Sequence, residues 1–131
     1  MSFFLGVGKL ETRKDNEQPH AISHNNWRFH HAGIPTKEVK KGEVYLDGFG
    51  VYVSGFETSE FGIQWMRYEE GSPIDPLIQK VPHLCFEVDN LDEAIKGREI
   101  LTPINSPSEG CRVAMIIENG APIELIEFRK E

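Results

Sequence analysis

The sequence predicts an α+β fold made of two βαβββ modules, of which the first lacks most of its helix. Two observations predict it. The second half of the chain shows the order strand, helix, strand, strand, strand, and the first half shows a similar order with the helix reduced to residues 36–41. Each half also opens with a histidine inside a strand-like run and closes with an amide or a carboxylate inside another. Such internal self-similarity indicates a repeated unit.

The predicted domain begins at about Trp27, where the composition changes. Residues 11–26 are polar, show no hydrophobic period and contain Pro19, so residues 1–26 are expected to form a loosely structured N-terminal arm. Residues 27–131 are expected to form one domain, with modules at about 27–70 and 81–131. The chain has 131 residues, which is the usual size of a single domain.

In the first module, short strand-like runs alternate with turn signals. Residues 29–34 combine apolar residues with two histidines and predict the first strand. Residues 44–46 and 50–54 are rich in β-forming residues, and Asp47-Gly48 between them predicts a hairpin. Residues 61–68 are rich in aromatic residues and predict the last strand of the module.

In the second module, a connector interrupted by prolines at residues 72–82 leads to a predicted strand at residues 83–88. A helix follows, with Asn90 as its N-cap and Glu93 at the third helical position of a capping box, and it is expected to reach about Ile100. Three further strands are predicted, and Asn-Gly predicts a hairpin between the last two. These strands lie at residues 101–105, 112–118 and 123–128.

Aligned by their strand-like runs, the two modules place His31 on His83 and Gln64 on Glu124. The two histidines lie 52 residues apart, and Gln64 and Glu124 lie 60 residues apart. The difference of about eight residues is what a helix present only in the second module adds. The alignment also selects His31 over its neighbour His30, because adjacent strand residues point to opposite faces. His30 is therefore expected at the surface or in an interface.

The four matched residues form a candidate site for one divalent cation. Two imidazoles, one carboxylate and one amide oxygen suit Zn²⁺, Co²⁺, Ni²⁺, Mn²⁺ or Fe²⁺ better than Ca²⁺ or Mg²⁺. A lone Glu124 between Ile123 and Leu125 is costly to bury unless it is paired or bound to a metal. With a single anionic ligand, the ion keeps net positive charge and is a good electrophile for a carbonyl or enolate oxygen. The set consists of His31, Gln64, His83 and Glu124.

Each of these residues also has an ordinary structural explanation. His83 follows Pro82 at a strand start and suits a hydrogen-bonded edge histidine. Gln64 suits a hydrogen-bonded glutamine inside a sheet, and Glu124 suits a solvent-facing position on an edge strand. Their coincidence at matched points of a repeat favours the metal site.

Four segments resemble the vicinal oxygen chelate superfamily, which includes glyoxalase I, methylmalonyl-CoA epimerase, extradiol dioxygenases and bleomycin-resistance proteins. The segments are FHHAGIP at 29–35, IQW at 63–65, PHLCFEVDNLDEA at 82–94 and NGAPIELIE at 119–127. The resemblance covers about residues 27–131 and implies a cupped, mixed, glyoxalase-like β-sheet and a homodimer. It implies ligands from the first, fourth, fifth and eighth strands, which are His31, Gln64, His83 and Glu124.

The resemblance to glyoxalase I also implies that Glu124 is a metal ligand that acts as the catalytic base. A His/Gln/His/Glu set is similar to that of methylmalonyl-CoA epimerase, whereas bacterial glyoxalase I usually has Glu where Gln64 stands. Extradiol dioxygenases use two His and one Glu. The chain departs from the superfamily in its missing first helix, and the epimerase's second catalytic carboxylate is not matched. Its candidates are Asp47, Glu57 and Glu60.

The composition argues against several kinds of partner. The net charge is −7, and Lys and Arg form no run longer than a pair such as Lys40-Lys41, which argues against nucleic acid and an anionic membrane surface. No window approaches the ~18 apolar residues of a spanning helix, and the first residues lack the positive n-region of a signal peptide. Cys85 and Cys111 are expected to be small buried residues in a reducing cytosol. We therefore expect a cytoplasmic protein that binds a small molecule.

The main functional hypothesis is a divalent-metal-dependent isomerase, epimerase or lyase that abstracts a proton next to a metal-bound carbonyl. Trp65, Arg67 and Tyr68 are expected either to line its cleft or to pack in the core and rim. The alternative hypothesis is a non-catalytic small-molecule binder of the bleomycin-resistance type, which needs an apolar cavity and no metal. A structural or dimerisation module with a vestigial site is a third hypothesis.

Overall fold

The computed structural model describes residues 12–129, so residues 1–11 of the predicted arm lie outside it. Its strands are β1 Arg28–Pro35, β2 Val44–Leu46, β3 Val51–Ser54, β4 Ile63–Tyr68, β5 His83–Glu87, β6 Glu99–Asn105, β7 Cys111–Glu118 and β8 Ala121–Phe128. Its helices are α1 His20–Ser23, α2 Pro76–Lys80 and α3 Leu91–Ala94, and a 3₁₀ turn spans Phe56–Thr58. The strands form one sheet in the order β2-β3-β4-β1-β5-β8-β7-β6, curled into a half-barrel. This confirms the predicted α+β fold with a cupped, mixed sheet.

The two parallel strand pairs of the sheet have the same register. β1 pairs with β4 so that Gly33 lies beside Gln64, and β5 pairs with β8 so that Cys85 lies beside Glu124. Gly33 stands two residues after His31, and Cys85 stands two residues after His83. Gln64 and Glu124 therefore occupy equivalent places relative to the two histidines. β1 and β5 are antiparallel neighbours at the centre of the sheet. The strand pairings on the two sides of the sheet are thus related by an approximate local twofold axis between β1 and β5.

Both predicted hairpins are present. β2 and β3 pair around the turn that contains Asp47-Gly48. β7 and β8 are joined by Asn119 and Gly120 alone, with φ values of 53° and 79°. Two consecutive positive φ values define the tight hairpin turn whose twist matches that of the flanking strands, and Asn-Gly is the pair that adopts it most readily.

The helix of the second module begins where the sequence predicts and ends earlier. The side chain of Asn90 accepts a hydrogen bond from the backbone N–H of Glu93, and this caps α3. The prediction that the helix reaches about Ile100 is wrong, because α3 ends at Ala94. Gly97 adopts a φ of 73°, which is left-handed and cannot continue a right-handed helix. The chain then enters β6 at Glu99.

The first module has no helix between its first two strands, and the short helical stretch predicted at residues 36–41 is a loop. Polar contacts cover the sheet where a helix would otherwise pack. The Nζ atom of Lys40 lies 4.3 Å above the ring of Trp65. Arg67 donates two hydrogen bonds of 2.8 and 2.7 Å to the carboxylate of Glu43. Charged side chains of the loop therefore replace the apolar face of a helix.

Two short helices lie in segments for which the sequence analysis predicted none. α2 falls in the connector, where Asp75 caps it by accepting a hydrogen bond from the N–H of Leu77 and Pro76 occupies its first turn. α1 falls in the segment assigned to the arm, and its residues Ala21 and Ile22 pack against the core. Asp75-Pro76 is a sequence signal for the start of a helix, so α2 could have been predicted. α1 has no side-chain cap and therefore offers no such signal.

The two faces of the sheet have different coverings in the second module. The side chains on the convex face pack beneath α1 and α3 and form the main core. The alternate residues of β7 and β8 point to the concave face, where Val113 and Ile126 pack with Cys85. The main core consists of Phe86, Val88, Leu91, Ala114, Ile116 and Leu125. The concave face is left open for a site.

In residues 12–129, no helix has the length and the apolar character needed to cross a bilayer.

Candidate metal centre

Strand alternation brings His31, His83 and Glu124 together on the concave face. They stand on β1, β5 and β8, which are consecutive strands of the sheet, and one ligand atom from each lies within 4.8 Å of the others. The Nε2 atoms of His31 and His83 are 3.3 and 3.2 Å from the same carboxylate oxygen of Glu124. Two ligand atoms that each lie about 2.0–2.1 Å from a tetrahedral zinc ion are about 3.3–3.4 Å apart. The spacing therefore fits an ion of that size.

An unsatisfied nitrogen supports this fit. His83 is 2% exposed, and its Nε2 makes no hydrogen bond within the described residues. Its 3.2 Å contact with Glu124 has the distance of an ion pair without the alignment of a hydrogen bond. Buried polar side-chain atoms nearly always have a partner, so the missing one needs an explanation. A divalent cation shared by the three side chains satisfies this atom, and the residues present fit such an ion.

Glu124 is ionised at this position. Burial alone raises the pKa of Glu124, but its contacts and electrostatic interactions with His31 and His83 outweigh burial and bring that pKa down to about 2. The side chain is 17% exposed. At neutral pH the site therefore offers a carboxylate, which is the form that binds a metal ion or accepts a proton.

Gly33 makes room for one of the two imidazoles. It lies opposite His83 in the β1–β5 pair. A Cβ atom at this position would be 2.2 Å from Cε1 of His83, far inside van der Waals contact. Glycine is thus required at position 33 because the ring of His83 occupies the space of a Cβ atom, and not because the backbone adopts a positive φ. Sequence analysis did not single it out, although the repeat places it at the point equivalent to Cys85, two residues after the histidine.

His30 differs from its prediction. It is half-buried beside His31, with 2.8 Å between the two Nδ1 atoms, and its ring stacks on Phe56 at 5.1 Å. The register of β1 against β5 shifts between Phe29 and His31, which marks a β-bulge. The bulge breaks the strict alternation of faces, so both histidine rings lie close together. Burial, and then the charge of His31, lower the pKa of His30.

Gln64 lines the same pocket as the three converging side chains. Its place on β4 beside Gly33 repeats the place of Glu124 beside Cys85. The pocket has a volume of about 220 Å³. Most of its lining side chains are apolar, and β2, β3, β4 and β7 contribute several of them. The alternation of β4 also directs Met66 and Tyr68 into it.

Of the three residues expected to flank the cleft, only Tyr68 lines it. Trp65 and Arg67 point to the opposite face, where they contact Lys40 and Glu43. Burial, and then the charge of Glu124, raise the pKa of Tyr68, so its phenol is neutral. The candidates for a second carboxylate do not lie in the pocket lining and are exposed; they are Asp47, Glu57 and Glu60.

Both cysteines are free thiols. Cys85 is fully buried behind the site, where burial and then the carboxylate of Glu124 raise its pKa. Its sulfur, with nitrogen atoms of His30 and His31, forms a second group of ligand-type atoms within 4.8 Å. Cys111 is half-buried at the start of β7. Cys85 thus fits the expected small buried residue.

No family model matches the chain, and no curated protein matches it. Solved structures do. The hypothetical protein BH1468 from Bacillus halodurans C-125 has 22% identity and a TM-score of 0.63, with 80% of this chain and 96% of that chain covered. Methylmalonyl-CoA epimerase from Mycobacterium tuberculosis has 20% identity and a TM-score of 0.55, with 79% of this chain and 89% of that chain covered. At these identities the likeness shows the fold alone.

Proposed function

We propose that this protein is a divalent-metal-dependent isomerase, epimerase or lyase that removes a proton from the carbon next to a carbonyl group. The observation that carries the proposal is the convergence of two imidazoles and one carboxylate on a common point, with the buried Nε2 of His83 lacking a hydrogen-bond partner among the described residues. A binding pocket of about 220 Å³ opens beside that point.

Each residue has a proposed role. His31, Gln64 and His83 hold the ion, and Glu124 both binds it and accepts the proton, which requires a carboxylate within about 3 Å of the carbon-bound hydrogen. When bound, a divalent ion of Zn, Co, Ni, Mn or Fe supplies a Lewis acid that polarises the carbonyl group. One carboxylate does not neutralise a dication, so the site retains positive charge where negative charge develops in the transition state. The epimerase among the structural neighbours supports this class of reaction.

The second candidate function is non-catalytic binding of a small molecule. The apolar lining of the pocket favours it, because a binding protein of this type needs an apolar cavity and no metal. The two functions differ in what the four polar residues do. In a pure binding protein they serve no purpose as a set.

We further propose a cytoplasmic homodimer, which is the assembly that the superfamily resemblance implies. The proposed domain spans residues 27–131, with modules at about 27–70 and 81–131 and residues 1–26 as an arm. The equal registers of the two parallel strand pairs support the division into modules. Free thiols at both cysteines agree with a reducing compartment. Light scattering of the full chain tests the dimer, and a monomer refutes that part alone.

The first test measures metal binding. After treatment with a chelator, the wild type should bind one equivalent of Co²⁺ per chain, and Glu124→Gln should bind it at least about tenfold more weakly. Glu118→Gln, which changes an exposed glutamate at the end of β7, is the matched control and should bind like the wild type. Absence of stoichiometric metal, with Glu124→Gln indistinguishable from the wild type, rejects the proposal.

The second test measures proton abstraction. The metal-loaded protein is incubated in D₂O with 2-oxo acids, hemithioacetals, acyl-CoA thioesters and neutral ketones, and deuterium uptake at the carbon next to the carbonyl is followed by mass spectrometry. Uptake that depends on metal and on Glu124 supports the enzyme. Metal binding and ligand binding without uptake for any compound favours the binding protein.

A further inference from the structure

We infer that the pocket accepts a small, uncharged carbonyl compound with an apolar body in preference to one that places an anionic group inside the pocket. The carbonyl group in this inference rests on the proposed function. The requirement for a neutral, apolar body comes independently from the residues that line the pocket.

The size of the pocket limits the substrate. A volume of about 220 Å³ lies below the range of roughly 300–1,000 Å³ found for pockets that hold drug-sized ligands. A CoA thioester or a tripeptide conjugate is much larger than this space, so most of such a molecule lies outside it. The pocket fits the whole of a compound with about a dozen heavy atoms and only one end of a conjugate.

The lining away from the ligand atoms is apolar. Aliphatic and thioether side chains from four strands face each other across the pocket, and they offer dispersion contacts and no charge. The neutral side chains of Thr102 and Asn105 on β6 add hydrogen-bonding groups. The apolar residues include Leu46, Val51, Val53, Met66, Val113 and Met115.

Away from the proposed ion, which the carbonyl end of the ligand would occupy, an anionic group finds no partner in the pocket. Among the described residues, no lysine or arginine lines the pocket, and its one charged carboxylate is Glu124. A carboxylate or phosphate that enters an apolar site without a cation loses its hydration and gains no ion pair. Three arginines lie outside the pocket and are held in ion pairs. Arg28 pairs with Asp89, Arg67 with Glu43, and Arg112 with Glu127.

The test uses three compounds with the same carbonyl end. They are 2-hydroxyacetophenone, its derivative with a methyl group at position 4 of the ring, and its derivative with a carboxylate at the same ring position. The methyl compound controls for added size, and the carboxylate adds charge. Binding to the Co²⁺-loaded full chain is measured by isothermal titration calorimetry. The two neutral compounds should bind with similar affinity, and the carboxylate should bind at least about tenfold more weakly.

A variant that supplies a cation makes the test reciprocal. Leu46 lines the pocket and is 37% exposed, so a long charged side chain fits at its rim. Leu46→Arg should reduce the preference for the 4-methyl compound over the 4-carboxylate at least about fivefold. Leu46→Met, which keeps the position apolar, is the matched control and should leave the preference unchanged.

Two results overturn the inference. One is that the carboxylate binds as tightly as the methyl compound in the wild type, and the other is that none of the three compounds binds to the metal-loaded protein. Metal content measured on the same samples reports on the proposed function separately. If the protein takes up no metal, the proposed function fails. The relative affinity of the metal-free chain for the 4-methyl and 4-carboxylate compounds then still tests whether the pocket prefers a neutral ligand.

Discussion

The hydrogen bond between His30 and His31 determines which nitrogen of His31 is free to bind a metal ion. The two Nδ1 atoms are 2.8 Å apart, so one of them carries the hydrogen that they share. If Nδ1 of His31 carries it, Nε2 has a free lone pair, and this is the atom that lies 3.3 Å from the carboxylate of Glu124. His30 is therefore expected to fix the tautomer and the orientation of His31 by accepting this hydrogen bond.

Replacing His30 by phenylalanine tests this role. The aromatic ring keeps the packing against Phe56, but the acceptor nitrogen is lost. A hydrogen bond between neutral groups contributes about 1 kcal/mol, which corresponds to about a fivefold change in an equilibrium constant. Loss of the orienting contact adds to this, so we expect Co²⁺ to bind to His30→Phe about 5- to 30-fold more weakly.

His30→Asn is the matched variant, because its side-chain oxygen stands near the place of Nδ1 and accepts the same hydrogen bond. We expect its Co²⁺ affinity to lie within about threefold of the wild type. Both affinities are measured by calorimetry at fixed pH, and the visible spectrum of bound Co²⁺ reports the coordination. Equal affinities of wild type and His30→Phe, or equal losses in the two variants, refute the reasoning.

Three further predictions concern the neighbouring residues. Gly33→Ala should weaken Co²⁺ binding at least about tenfold, because the added Cβ atom would clash with Cε1 of His83 and displace its ring. The far-ultraviolet circular dichroism spectrum should stay unchanged. Unchanged Co²⁺ binding contradicts the packing argument. Because the pKa of Glu124 is about 2 in the folded protein and about 4.5 unfolded, its stabilisation of the metal-free protein is present above about pH 5 and is lost as the pH falls towards 2. Urea unfolding in chelator between pH 2 and 7 should show this loss in the wild type and not in Glu124→Gln; equal pH dependence rejects the assignment. Iodoacetamide at pH 8 should modify the half-buried Cys111 before the fully buried Cys85, as mass spectrometry of peptides shows, and faster labelling of Cys85 contradicts its burial and raised pKa.

The strands were predictable because local patterns determine them. Alternation of apolar residues, a tight Asn-Gly turn and a capped helix start each act over a few residues. The end of α3 was predicted wrongly because the capped start does not show where the helix stops, and the left-handed φ of Gly97 prevents the helix from continuing to Ile100. The alternation of β4 already placed Gln64 and Tyr68 on one face, and by the same rule it placed Trp65 on the other.

The surroundings of the candidate ligands were less predictable, because they depend on contacts between strands. A β-bulge between Phe29 and His31 follows from the pairing of β1 with β5, and no residue within β1 alone signals it. The need for glycine at position 33 arises because the ring of His83, fifty residues along the chain, occupies the space of its Cβ. Such requirements become visible only when the register of the pair is known.

The local twofold axis makes the two histidines equivalent in position, but their surroundings differ. His83 lies across β1–β5 from Gly33, whereas His31 lies across the same pair from Cys85. The ring of His83 is therefore held by packing over a bare backbone, and the ring of His31 is held by its hydrogen bond to its bulged neighbour His30. The repeat supplies the pair of imidazoles, and departures from the repeat supply what orients each one. An alignment of the two modules finds only what they share, so it identified the histidines and missed Gly33 and His30.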